Sequence, residues 1–209
     1  MKNLPLIILL VMVVAACNLT SKLKSNNNSE SSSPSSSSST SDKPGDEPAE
    51  KPNPTAAQTA AIANGQDIKW DEQGISWRVP ANWKKGSVDR NTFQYGGDGA
   101  FLIVSISPMA DDFPTAISLK AFHEGARTRK KNGEVDELKW LELDGARGVE
   151  FRESKPQMGD DIRRLQWMTY RKYANQVQLV NFILSTSGGK FDSRADELYG
   201  ILYSTKIVH

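Results

Sequence analysis

Cysteine and histidine are scarce in this chain of 209 residues, which has one cysteine, Cys17, and two histidines. A single thiol cannot form an intramolecular disulfide, so the folded part must be stabilised by an ordinary hydrophobic core. His123 and His209 form no cluster with each other or with the cysteine, which disfavours a transition-metal centre and a Ser-His-acid hydrolase. The sequence therefore predicts no catalytic residue, no metal ligand and no cofactor, and we expect a protein that is not an enzyme.

An excess of one charge and a long apolar run are also missing. The 26 basic side chains nearly balance the 25 acidic ones, which argues against nucleic acid as a partner. The apolar stretch at residues 4–16 would span about 20 Å as a helix, well short of the roughly 30 Å hydrocarbon core of a bilayer. We therefore expect residues 1–16 to be a cleaved signal peptide.

The residues around Cys17 indicate a lipid anchor. Lys2 supplies a positive charge, the apolar stretch follows, and Val14, Ala15 and Ala16 directly precede the cysteine. This resembles the signal of bacterial lipoproteins, in which that cysteine is acylated and becomes the mature amino terminus. The resemblance implies membrane attachment through Cys17. Asn18, which is not aspartate, implies the outer membrane in an organism with two membranes.

A polar segment follows the anchor. Residues 18–65 include a serine run at 31–40 and four prolines among charged residues. Such a composition cannot bury enough apolar surface to offset its ordering entropy. We predict that residues 17–65 form a disordered tether, within which residues 55–63 are alanine-rich enough for one or two helical turns before Asn64 and Gly65 stop them.

Residues 66–209 have the length and apolar patterning of a single domain. Asp144-Gly145 predicts a two-residue hairpin turn, and Ala174-Asn175 a second turn. The strands at 100–107 and 176–186 place apolar residues on both faces, so both are expected to be central and covered on both sides. Strands are predicted at 74–79, 84–89, 92–95, 100–107, 137–143, 147–153, 162–173, 176–186 and 205–208.

Two helices are predicted between these strands. The first begins after Ser118 as N-cap and ends near Asn132 at Gly133. The second is capped by Asp192 or Ser193, with Phe191 packing before it. Hairpins dominate and the helices are separated in sequence, so we predict an α+β fold in which an antiparallel sheet is flanked by helices on both faces.

The order of these elements resembles the PsbP-like superfamily, including the DcrB-like bacterial lipoproteins. The matching features are the opening Gly74 to Pro80 run followed by Trp83, the middle helix, the Asp144-Gly145 hairpin followed by Gly148 and Phe151, and the closing helix with Phe191. The resemblance covers residues 66–209. It implies an α/β/α sandwich and a non-catalytic accessory, assembly or binding role, and it transfers no functional residue.

Other motifs are better explained by structure than by chemistry. The glycine pairs at 96–97 and 188–189 lack the context of a dinucleotide or phosphate loop and are expected to form turns. The acidic pairs at 111–112 and 160–161 could bind Ca²⁺ as oxygen ligands, but no EF-hand spacing accompanies them. His123 is expected to be a surface or half-buried helix residue.

Basic and aromatic residues leave further alternatives. The basic run at 127–131 suits the end of a helix, where cations stabilise the dipole, and could also meet anionic headgroups or an acidic partner. Arg163, Arg164, Arg171 and Lys172 suggest an exposed or edge strand. Trp70 and Trp83 would be interface candidates if both were exposed.

These observations favour a membrane-anchored, non-catalytic lipoprotein that acts as an accessory or interaction module in the cell envelope, with an envelope protein as partner. The alternative is a lipoprotein that binds a small ligand or a metal ion such as Ca²⁺.

Overall fold

The computed structural model describes residues 47–157 and 159–209. The signal peptide, Cys17 and most of the expected tether lie outside these residues. The described chain forms three helices, α1 (Ala56–Ala63), α2 (Thr115–Lys131) and α3 (Gly188–Tyr203). It also forms ten strands, β1 (Gln66–Trp70), β2 (Ile75–Val79), β3 (Lys84–Val88), β4 (Thr92–Gly97), β5 (Ala100–Pro108), β6 (Val135–Leu143), β7 (Ala146–Glu153), β8 (Ile162–Tyr173), β9 (Gln176–Ser187) and β10 (Lys206–Ile207).

The strands form two antiparallel sheets. The large sheet has the order β3-β4-β5-β9-β8-β7-β6, and the small sheet has the order β1-β2-β10. The predicted hairpin turns are both present: Asp144-Gly145 and Ala174-Asn175 have positive φ at both residues, as a two-residue turn between right-twisted strands requires. The predicted α+β class with an antiparallel sheet is confirmed. β1 and the separation of β1, β2 and β10 into a second sheet were not predicted, whereas α1 lies where helical turns were expected, at residues 55–63.

The two faces of the large sheet are covered differently. One face packs against the small sheet and α3 around a main core that includes Trp77, Trp167 and Phe182. The other face packs against α2 around a second cluster that includes Val149 and Phe151. Helices therefore lie on both faces, with α1 packed on α3.

The expectation that β5 is covered on both faces is wrong. Leu102 and Val104 are buried, but Phe101 on the other face is 48% exposed. The reason is that α2 lies over β6, β7 and β8 and does not extend over β5. On β9, Ile183 is likewise only partly buried.

Both predicted helix starts are also wrong. α2 begins at Thr115 after Pro114, and the hydroxyl of Ser118 instead pairs with that of Tyr170, 2.9 Å away. α3 begins directly after β9, so that Gly188-Gly189 forms its first turn and Phe191 lies inside the helix. A Cβ on Gly188 would lie 2.5 Å from Cγ of Pro156, so a close approach requires glycine here.

Residues 47–65 differ from the expected tether because they pack on the domain. Glu50 forms a parallel bridge to Leu141, and Thr55 and Gln58 form a capping box at the start of α1. Ile62 is buried in the main core. The carbonyl of Ile62 accepts a hydrogen bond from Arg78, at 2.9 Å, so α1 is tied to β2 as well as to α3.

Candidate functional site

A groove of about 540 Å³ lies between α2 and the β6–β7 hairpin. Its apolar wall includes Ile117, whose side chain is 73% exposed, and its polar wall includes cationic and anionic groups. The lining residues that set the polarity and charge of the groove are Glu47, Ile117, Leu119, His123, Trp140 and Arg147.

The groove follows from the apolar pattern of α2. Leu119, Phe122 and Ala126 recur at helical spacing and pack on the second cluster of the sheet, as an amphipathic helix does. Ile117 lies outside this stripe and remains exposed. Since exposed large apolar side chains beside a concave surface are typical of binding sites, this part of α2 is a candidate contact surface.

The floor of the groove is formed by the rings of Trp140 and His123 and by Arg147. The rings of His123 and Trp140 are stacked, with centroids 4.6 Å apart. The guanidinium carbon of Arg147 lies 4.1 Å from the Trp140 ring centroid, a cation–π distance. His123 is buried, so the expectation of a surface or half-buried position is wrong. Its pKa is lowered by burial and then by the charge of Arg127.

The charges around the groove are unequally compensated. Arg127 lies 3.3 Å from Glu47 and 3.3 Å from Glu124. Arg147, in contrast, donates to the backbone carbonyl of Glu47 at 2.7 Å, and its buried Nε has no hydrogen-bond partner. Arg147 forms no ion pair with any carboxylate in the described ranges 47–157 and 159–209, so the groove has an uncompensated cation at its floor.

The chain joins the domain at this groove. Glu47 is the first described residue. The amide of Glu50 donates to the carbonyl of Trp140 at 2.9 Å, and the amide of Glu142 donates to the carbonyl of Glu50 at 2.8 Å. Residues 47–50, the first that the structure describes, therefore lie beside Trp140 and Arg147.

The acidic pairs from the sequence do not come together. Asp160 accepts from the amide of Ile162 at 3.0 Å and from Arg164 at 2.6 Å, and these hydrogen bonds lower its pKa. Asp111 and Asp112 lie exposed before α2. No group of three or more His, Cys, Asp or Glu side chains in the part of the chain that the structure describes is arranged to hold a metal ion.

Two of the basic residues of β8 are not exposed, because β8 lies inside the large sheet and not at its edge. Arg163 is buried and donates to the carbonyl of Glu153 and to the carboxylates of Asp192 and Asp136. Arg171 is also buried. The prediction of an exposed strand is wrong for these two residues.

Trp70 and Trp83 are both buried in the main core. They are therefore not the exposed pair that would make an interface. Their indole Nε1 atoms are buried without a hydrogen-bond partner. Packing contacts therefore hold these two rings in the core.

A buried polar cluster lies under α3 and was not predicted from the sequence. Glu150 is 0% exposed, and its carboxylate oxygens accept no hydrogen bond. The nearest cation is Nζ of Lys139, at 3.4 Å, which is shared with Glu137 at 3.0 Å. Burial raises the pKa of Glu150 to about 7, against the opposing charge of Lys139. Cross-strand pairing of Lys139 with Glu150 could have indicated the ion pair but not its burial.

None of the helices among the described residues has the length and apolar character needed to cross a bilayer. No family model matches the chain, and no curated protein matches it.

The chain is similar to several solved structures at low identity. One is cyanobacterial PsbP (CyanoP) from Synechocystis sp. PCC 6803, at 17% identity and a TM-score of 0.47, covering 68% of this chain and 92% of that one. Another is LpqN, involved in cell envelope biogenesis of Mycobacterium tuberculosis, at 14% identity and a TM-score of 0.48, covering 69% and 86%. A third is the Ran-binding protein Mog1p of Saccharomyces cerevisiae, at 12% identity and a TM-score of 0.41, covering 69% and 96%.

Proposed function

We propose that this protein is a lipid-anchored, non-catalytic accessory module that binds another protein of the cell envelope. The proposed anchor is an acylated Cys17, preceded by a signal peptide at residues 1–16. The support for it is the sequence at Val14, Ala15 and Ala16. Several acyl chains at one residue suffice for stable attachment, since each buried CH₂ contributes about 0.8 kcal/mol. The outer membrane is favoured where the organism has two.

The observation that best supports a binding role is the groove between α2 and the β6–β7 hairpin, with exposed Ile117 on its wall. Residues 18–46 would give an r.m.s. reach of about 30 Å as a flexible chain. Because this segment enters the domain at Glu47, the groove would lie within that distance of the membrane surface. A partner in the same membrane would then meet it at high effective concentration.

The chemistry of the groove specifies the kind of segment that it would accept. Ile117 and Leu119 offer apolar contact, and Trp140 offers an aromatic surface beside the uncompensated guanidinium of Arg147. A bulky apolar side chain next to a carboxylate complements both features. We therefore propose an envelope protein with an exposed apolar and acidic segment as the partner.

The anchor is tested by mass spectrometry of the protein isolated from its own cells. We expect an amino-terminal, acylated Cys17, and we expect a Cys17→Ser variant to leave the membrane fraction. An unmodified Cys17 would remove the anchor from the proposal and leave the binding role to the next test.

The partner is tested by a photo-crosslinking residue at Ala116, which lines the groove. In the native envelope, one protein identified by mass spectrometry should form the adduct reproducibly. Ile117→Asp should reduce that adduct roughly tenfold, because it removes apolar contact worth about 1.5 kcal/mol or more. The matched control is Val208→Asp, at another exposed apolar side chain. Equal adduct in both variants would contradict the groove as the contact surface.

A further inference from the structure

Arg171 is a buried cation without a counter-ion. It is 5% exposed, and its hydrogen bonds go to Oε1 of Gln178 at 3.1 Å, Oε1 of Gln73 at 3.0 Å and the carbonyl of Val208 at 2.8 Å. All three acceptors are neutral. No carboxylate forms an ion pair with Arg171 anywhere in residues 47–157 or 159–209.

This arrangement differs from that of the other buried arginine of the same strand. Arg163 contacts the carboxylates of Asp136 and Asp192, at 3.0 and 2.7 Å. A buried charge is normally paired in this way, because removing an ion from water without a partner is strongly unfavourable. For Arg171 the missing negative charge has to come from outside the described chain or remain absent.

A cavity of about 740 Å³ lies beside Arg171 at the turn between β8 and β9. Gln73 and Gln178, which hold the guanidinium, both line this cavity, as do Arg90 and Glu72. The side chains of Gln73 and Gln178 therefore lie between the cavity and the buried guanidinium of Arg171.

The glutamine orientations follow from the chemistry of the guanidinium. Arginine only donates, so each glutamine must present its oxygen to Arg171 and its NH₂ group elsewhere. The NH₂ group of Gln73 donates to the carbonyl of Arg90, at 2.8 Å. That of Gln178 has no acceptor among the described residues and belongs to a side chain on the cavity wall. Both amides are polarised by the adjacent cation, which strengthens them as donors.

We propose that this cavity binds the oxyanion group of a small molecule, a carboxylate or a phosphate, which supplies the counter-ion that Arg171 lacks. In this proposal Gln178 donates to the oxyanion, and Arg90, an exposed residue of the cavity lining, supplies a guanidinium that pairs with it. The negative charge of Glu72, on the cavity wall, repels an anion and so lowers the affinity of the site for it. The site is distinct from the α2 groove, so the test of the anion site is independent of the test of the proposed protein partner.

The test uses the full chain purified in detergent and titrated with sodium phosphate, acetate or citrate against sodium chloride of equal ionic strength. The side-chain NH₂ signal of Gln178 is followed by ¹⁵N NMR together with the thermal midpoint. We expect a saturable shift of that signal and a saturable rise of the midpoint. Arg90→Gln should weaken binding roughly tenfold, as the loss of a charge-assisted hydrogen bond does, and Glu72→Gln should strengthen it. The anion that saturates at the lowest concentration shows whether the site prefers a carboxylate or a phosphate.

Gln178→Glu is the decisive variant. It places a carboxylate of the protein itself against Arg171, so the thermal midpoint should rise without added anion, and the saturable rise of the midpoint with added anion should disappear. Gln94→Glu on β4, away from the cavity lining, makes the same change of charge and should respond like the unmodified protein. A non-saturating response that is equal in the unmodified protein and in Gln178→Glu would overturn the proposal.

Discussion

Glu150 is a fully buried carboxyl group of β7. It accepts no hydrogen bond, and the cation nearest to it, Lys139, is closer to Glu137. Burial therefore outweighs the ion pair and raises the pKa of Glu150 from 4.5 to about 7. In the folded protein the protonated form is favoured, so ionisation destabilises the fold as the pH rises through this window.

The pH dependence of stability tests this environment. The unfolded chain ionises Glu150 near pH 4.5 and the folded chain near 7, so the penalty grows between these values and is complete above 7. A shift of this size corresponds to roughly 3 kcal/mol. We expect Glu150→Gln to gain stability relative to the unmodified protein as the pH rises from 4.5 to 7.5, by about 1–3 kcal/mol, in urea denaturation.

Comparing Glu150→Gln with the unmodified protein also separates the effect of Glu150 on stability from the effect of His123. The lowered pKa of His123 stabilises the fold as the pH rises towards 6.5, which is the opposite direction, and it is common to both proteins. Parallel stability curves for the two proteins from pH 4.5 to 7.5 would show that Glu150 is ionised at no cost.

Single residues also show how far the sequence could predict burial. Arg163, Arg171 and His123 are all buried, although their residue types favour exposure. The carboxylates, amides and rings that accommodate them come from segments distant in the chain, such as Asp136 for Arg163. The predicted β8–β9 hairpin places Gln178 opposite Arg171, but no local pattern indicates the other partners.

At the scale of elements, turns were predictable and helix starts were not. The two-residue turns of both long hairpins need positive φ angles, which Asp144, Gly145 and Asn175 adopt more readily than Ala174 does. The start of α3 depends instead on how β9 meets Pro156, which lies against Gly188. The sequence alone predicts a turn at Gly188-Gly189, because the contact with Pro156 arises only in the folded structure.

Two glycines should respond oppositely to the same substitution. A Cβ on Gly148 of β7 would lie 2.5 Å from the Trp167 ring, which is too close for any carbon atom. A Cβ on Gly125 of α2 would meet nothing within 4 Å. We expect Gly148→Ala to lower the free energy of unfolding by about 2–3 kcal/mol through overpacking, and Gly125→Ala to raise it by about 0.5–1 kcal/mol through helix propensity.

Chemical denaturation of the two variants checks this prediction, and each serves as the control for the other. If Gly148→Ala were as stable as the unmodified protein, Trp167 would not pack against β7 as described.

At the scale of the whole molecule, the folded unit includes residues that look like linker. The carbonyl oxygen of Gln58 in α1 would lie 2.5 Å from a Cβ on Gly200 of α3, so the two helices are in close contact. The composition of residues 47–65 is polar and alanine-rich. The segment nevertheless packs, because Ile62 is buried, Arg78 donates to the end of α1 and Glu50 bonds to the backbone of β6.

Shortening the chain tests where the folded unit begins. A chain of residues 66–209 loses the burial of Ile62 and two hydrogen bonds from Arg78 to the carbonyls of Ile62 and Ala63. We expect its free energy of unfolding to fall by about 2–4 kcal/mol relative to a chain of residues 47–209. The longer fragment should match the full chain, and equal stability of the two fragments would show that α1 is dispensable.

The sequence by itself determined the α+β class, the long hairpins and the strand alternation, and it supplied the basis for the proposed anchor at Cys17. These depend on backbone preferences and on periodicities that act over a few residues. Only the tertiary structure decided that α2 leaves Phe101 exposed, that Trp140 lies under His123, and that Arg171 and Glu150 are buried without adequate counter-ions. Burial and charge compensation depend on side chains far apart in the chain, which come together only when the sheets and helices pack.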